Sequence, residues 1–127
     1  MRQHILHFLL IAIITMPTVC RSAEITINDS SCGTDQIFKT GNSLILRLPA
    51  NPTTGYSWQV TNLPASLRKA GEPTYQPDSS MIGSGGTSIY KFETITAGKG
   101  NLNLVYRRPW EKGQPVKSCA IKITVSD

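Results

Sequence analysis

A chain of 127 residues with thirteen Lys and Arg against eight Asp and Glu is mildly basic, with a formal net charge of +5. Its cations are dispersed, without the dense basic stripe that nucleic-acid binding requires. Both histidines, His4 and His7, fall in an N-terminal apolar segment; once it is removed, Ser-His and Cys-His catalysis and any His-ligated metal site are excluded.

The opening Met1-Arg2-Gln3-His4, the apolar run from Ile5 to Met16, then Pro17 and small or polar residues to Ala23 have the layout of an export signal. The run is too short for a membrane span. Cleavage after Ser22, with Cys20 and Ser22 at the small-residue positions, is expected to leave residues 23–127 as one exported domain, free of the membrane. Its compartment is open between a periplasm, an extracellular medium and a vesicle system. Lipid modification of Cys20 is the competing reading, disfavoured by Val19 where such a site wants a very small residue. Cys32 and Cys119 remain after cleavage, and an even pair in an exported domain is expected as a disulfide. It would close a long loop, typically worth about 2–4 kcal/mol. The remaining carboxylates stand singly, with no spacing that suggests acid/base work, so no enzyme activity and no cofactor is expected. Asn28-Asp29-Ser30 is a glycan acceptor only where the host modifies exported proteins.

Period-2 alternation predicts strands through Ile25 and Ile27, through Leu44, Leu46 and Leu48, and through Tyr56, Trp58 and Val60. It continues through Tyr90 and Phe92, through Leu102, Leu104 and Tyr106, and through Cys119, Ile121, Ile123 and Val125. Gly41-Asn42, Asn51-Pro52, Gly98-Lys99-Gly100 and Gly113-Gln114-Pro115 separate them as turn formers. Pro64, Pro73 and Pro77 argue against a helix in the one region long enough to hold one. The fold class is all-β, an immunoglobulin-like antiparallel sandwich of about seven to eight strands, without the cysteine and tryptophan spacing of antibody domains. Trp58 belongs in the core. Trp110 either stands exposed as an interface anchor or folds back as a loop plug.

Three segments between strands stand out as a composite binding edge. In Asn51-Pro52-Thr53-Thr54-Gly55-Tyr56, Pro52 fixes its own φ, Thr53 and Thr54 are β-branched, and Gly55 is free to take positive φ, so the turn is shaped in advance. Gly83-Ser84-Gly85-Gly86 lacks side chains apart from Ser84 and admits close approach of another backbone. It is not a phosphate loop, since the Gly-Lys-Ser/Thr continuation is missing. Arg108-Pro109-Trp110 places an aromatic beside a cation at a polar turn, the composition of an interface anchor. Each segment taken alone also fits an ordinary turn.

In this order, on this pattern of strands, the three segments resemble the chagasin-type inhibitors of papain-family cysteine peptidases, whose loops read Asn-Pro-x-Thr-Gly-Tyr, Gly-x-Gly-Gly and Arg-Pro-Trp. The resemblance runs from roughly Glu24 to Val125. It implies a reversible, tight-binding inhibitor of papain-like and cathepsin L-like peptidases, expected to act as a monomer. The loop from Asn51 to Tyr56 would enter the active-site cleft, with Thr53, Thr54 and Gly55 closest to the enzyme's catalytic pair and Tyr56 supporting the loop base. Gly83, Ser84, Gly85 and Gly86 would line one side through backbone contacts, and Arg108, Pro109 and Trp110 the other. The alternative reading is an exported immunoglobulin-like adhesion or ligand-binding module using the same loop end.

Overall fold

Leu44, Leu46 and Leu48 are completely buried while Ser43, Ile45 and Arg47 between them are only half-buried, so strand β3 (Ser43–Ala50) turns one apolar face inward. The same alternation builds β1 (Glu24–Asn28), β4 (Ser57–Asn62), β7 (Gly86–Thr94), β8 (Gly98–Arg107) and β9 (Lys117–Ser126). The computed structural model describes residues 10–17 and 23–127. Residues 10–17 are exposed and carry no regular structure. The expected cleavage point after Ser22, Cys20, and both histidines lie outside the described residues.

Three further strands complete the nine found among the described residues: β2 (Asp35–Lys39), β5 (Leu67–Lys69) and β6 (Thr74–Pro77). The alternation did not announce them. In β2 only Phe38 is buried, β5 is three residues long, and every residue of β6 is exposed. All three take edge positions and are held mainly by main-chain pairing. One sheet runs β1-β3-β7, with β5 and β6 sharing the far edge of β7, and the other runs β2-β9-β8-β4. The strands pair antiparallel except at one edge of each sheet, where β1 lies parallel to β3 and β2 parallel to β9.

The two inner faces meet in one core that includes Leu46, Leu48 and Phe92 from the first sheet and Leu104, Ile121 and Trp58 from the second. Each fully buried aliphatic or aromatic side chain contributes about 1.5–3 kcal/mol. Cys32 and Cys119 are bonded, with Cα atoms 4.9 Å apart across 87 residues of chain. Cys119 is 1% exposed in β9, so the bond pins the crossing from β1 to β2 onto the middle of the second sheet.

Gly98-Lys99-Gly100, expected as a turn, instead opens strand β8. The glycine at 100 answers to packing: a Cβ there would stand 2.7 Å from the Cβ of Pro64.

Candidate functional site

Strand register decides which loops share an end. Ala50, the last residue of β3, pairs with Gly86, the first of β7, and Gly86 also pairs with Pro77, the last of β6. In the other sheet Ser57 pairs with Arg107, and Tyr106 pairs with Lys117. The connections 51–56, 78–85 and 108–116 therefore all leave from the same end of the sandwich, and the three sequence segments come together there.

The first loop is a 3-10 turn, Pro52–Thr54, closed by Gly55 in the left-handed region at φ 82. Asn51 organises it. Its Oδ1 accepts from the Thr53 N–H at 3.2 Å and from the Thr53 hydroxyl at 2.5 Å, and the Thr54 hydroxyl donates to the Asn51 carbonyl at 2.6 Å. Thr53 and Thr54 are exposed at the apex with their hydroxyls turned back into the loop. The Asn51 N–H donates to the Tyr106 hydroxyl at 2.9 Å, which ties the loop to the buried top of β8. Below it Tyr56 stacks on Tyr106, ring centroids 5.4 Å apart, and Tyr106 leans on Trp58 at 5.1 Å. Tyr56 is thus a support for the loop base. Trp58 is buried, and its indole N–H donates to the Pro49 carbonyl at 3.0 Å.

The second loop is latched to the first by the Asn51 Nδ2 group, which donates to the Gly83 carbonyl at 3.2 Å. Its neck closes where the Asp78 N–H meets the Gly85 carbonyl, and a turn forms from Met81 to Ser84. Gly86 is buried; a Cβ there would lie 2.3 Å from the Gln76 carbonyl oxygen and 2.6 Å from the Tyr75 hydroxyl, so its own chain makes the close approach. Gly83 is exposed, and Ser84 and Gly85 are half-buried. Met81 at 76% exposure and Ile82, wholly exposed, extend this edge with apolar surface. Sequence reasoning passed them over, although an apolar pair set between Ser79-Ser80 and Gly83 was a signal that could have found them.

The third loop begins with a turn from Arg108 to Glu111, closed by the Glu111 N–H on the Arg108 carbonyl at 3.1 Å with Pro109 in its second position. Arg108 reaches back to the first loop. Its Nε donates to the Thr54 carbonyl at 2.9 Å, its guanidinium lies 4.5 Å from the centroid of the Tyr56 ring, and Nη1 pairs with the Glu111 carboxylate at 3.0 Å. The hydrogen bond to Glu111 raises the Arg108 pKa further, so its charge is permanent. Trp110 resolves the choice the sequence left open. It is 69% exposed, with the edge of its indole against Gly55, where a Cβ would fall 2.5 Å from the ring. The aromatic stands as an accessible surface beside the apex of the first loop.

Comparison with known proteins agrees with this arrangement. The sequence pattern described as chagasin family peptidase inhibitor I42 matches residues 38–125. The chain belongs to the chagasin family. Its relatives include amoebiasin-1 of Entamoeba histolytica, 33% identical over 97 residues, a match covering 76% of this chain and 94% of the relative. Chagasin of Trypanosoma cruzi is likewise 33% identical, over 75 residues, covering 55% of this chain and 68% of chagasin. In fold the chain is similar to the crystal structure of a cysteine protease inhibitor from Entamoeba histolytica, with a TM-score of 0.73 at 21% identity, covering 83% of this chain and 97% of that one. Membership of the chagasin family makes this protein an inhibitor of cysteine peptidases, and a binder in place of an enzyme.

Proposed function

We propose that this chagasin-family protein blocks the active-site cleft of papain-family cysteine peptidases by reversible, non-covalent insertion of its first loop. Thr53, Thr54 and Gly55 enter the cleft. Gly83, Ser84 and Gly85 pair with backbone along one wall, and Trp110, carried by Arg108 and Pro109, packs on the other. Asn51, Pro52, Tyr56 and Gly86 hold these surfaces in place. The observation that carries the reading is the cross-bracing of the three loops at one end, through Asn51 to Gly83 and through Arg108 to Thr54. Loops ordered before contact lose less entropy on association, which favours tight binding. A 3-10 turn also fills substrate space without laying an extended, cleavable backbone across the nucleophile.

The same reading takes residues 1–22 as a removed signal and 23–127 as the exported inhibitor domain, working in a periplasm, an extracellular medium or a vesicle. The apolar run from Ile5 to Met16 and the Cys32–Cys119 bond support it, since disulfides persist in oxidising compartments.

Titrating active papain or a cathepsin L-like peptidase with the purified protein tests the proposal. Activity falling to zero at one inhibitor per enzyme, with recovery on dilution and an uncleaved inhibitor chain, is the expected result. Full peptidase activity at micromolar excess would hand the loop end to the adhesion reading.

A further inference from the structure

Charge at the loop end is confined to one flank. Residues 51–56 and 79–87 contain no charged side chain, so neither the first loop nor the exposed part of the second can tell one peptidase from another by its electrostatics. The charges of this end sit at Asp78 and on the third loop with its strand ends. Arg108 and Glu111 neutralise each other in their ion pair. Lys117 is held 5.8 Å from the centroid of the Tyr106 ring and shares with Asp78 a hollow of about 250 Å³ between the sheets. Arg107 and Lys112 are left, and among the described residues neither has a carboxylate partner. They flank Trp110. The Arg107 guanidinium is fixed against the turn that carries Trp110, because its Nη2 donates to the Glu111 carbonyl at 2.9 Å. Lys112 follows Glu111 directly, is exposed, and among the described residues its ammonium has no ion-pair partner.

We propose that Arg107 and Lys112 form a cationic recognition edge beside Trp110, selecting peptidases that carry carboxylates on the wall of the cleft facing the third loop. The proposal rests on the cleft-blocking reading above and adds to it the kind of enzyme favoured. The neutral first loop supplies a plug common to all targets, and the cationic flank supplies the discrimination. Charges at the rim of an interface act mainly on the rate of encounter, and salt screens them over about 8–10 Å at physiological ionic strength. Selection therefore operates through association, with the lifetime of the complex governed by the packed loops.

The test is the association and dissociation rates of the unaltered protein, of R107E/K112E and of K112E alone. They are measured from about 20 to 500 mM salt against two papain-like peptidases, one acidic and one basic beside the cleft. Expected for the acidic enzyme is a roughly tenfold or larger fall in association rate with salt, with a comparable slowing by R107E/K112E at low salt. Dissociation should change little. The same double variant should speed association with the basic enzyme. Because Arg107 also bonds the third loop, K112E, which breaks no ion pair among the described residues, must move the association rate with each enzyme in the same direction as the double variant, by a smaller factor. Equal association rates for all three proteins at low salt would overturn the proposal while leaving inhibition intact. Failure of the unaltered protein to inhibit either enzyme would strike the cleft-blocking reading itself.

Discussion

Gly55 and Trp110 depend on each other. At φ 82 the backbone of Gly55 lies where an L side chain costs about 1–2 kcal/mol, and the missing Cβ is the space the indole edge occupies. Gly55→Ala should therefore lower stability by about that amount and displace Trp110, so that urea denaturation and the inhibition constant worsen together. Trp110→Ala should separate the two readouts. With the ring 69% exposed, stability should hold within about 0.5 kcal/mol. Inhibition should weaken by roughly thirty- to a thousandfold, the equivalent of an aromatic hot spot worth about 2–4 kcal/mol. An unchanged inhibition constant for Trp110→Ala would remove the anchor role. Both residues were singled out from sequence, but their contact was not legible there, because 54 positions of chain and two sheet-to-sheet crossings lie between them.

At the scale of the element, each loop is a different solution to the same need for order. The first is rigid by its own composition, through Pro52 and the Asn51 cap. The second is closed by its own neck and turn, with Ser79 bonded to Met81 and Ser84, and is tied to the first through Asn51, while the third is held by Arg108 pressed on Tyr56. The Gly-rich segment reads as flexible when taken alone because its order comes from Asn51, Asp78 and Ser79, which lie outside it. This distribution also shifts the weight within that segment from the glycines to the apolar pair ahead of them. Ile82 exposes its whole side chain at the tip of the second loop on the same edge as Thr54 and Trp110. Ile82→Ser is expected to leave the unfolding midpoint unchanged and weaken inhibition roughly tenfold, as loss of a buried aliphatic contact of about 1.4 kcal/mol would. Equal inhibition by the variant and the unaltered protein would confine the role of this loop to its backbone.

For the whole molecule, the disulfide is the one covalent cross-link among the described residues, and it ties the first crossing to β9. Strands β1 and β2 are edge strands of different sheets, joined by a short crossing that buries little, and the bond at Cys119 holds that crossing to the core. The double substitution C32S/C119S should cost about 2–4 kcal/mol in denaturant unfolding. Inhibition measured well below the transition should stay nearly unchanged, since no loop-to-loop bond involves either cysteine. A loss of inhibition without loss of stability would show that the bond shapes the loop end directly.

Local composition determined the sandwich class, the inward residues of the long strands and the three loop segments proposed to bind, because alternation, proline, glycine and β-branching act within a few residues of chain. The edge strands β2, β5 and β6 escaped it, since they bury one residue each or none, too few to alternate, and are held by main-chain pairing with β7 and β9. The parallel pairs, the strand at Gly98, the exposure of Trp110 and the position of Met81 and Ile82 were decided only in three dimensions. Each depends on what a distant segment places alongside: Pro64 over Gly100, Gln76 against Gly86, Gly55 beneath the indole. A sequence states which residues prefer to be buried or to turn, and the tertiary fold alone states what they meet.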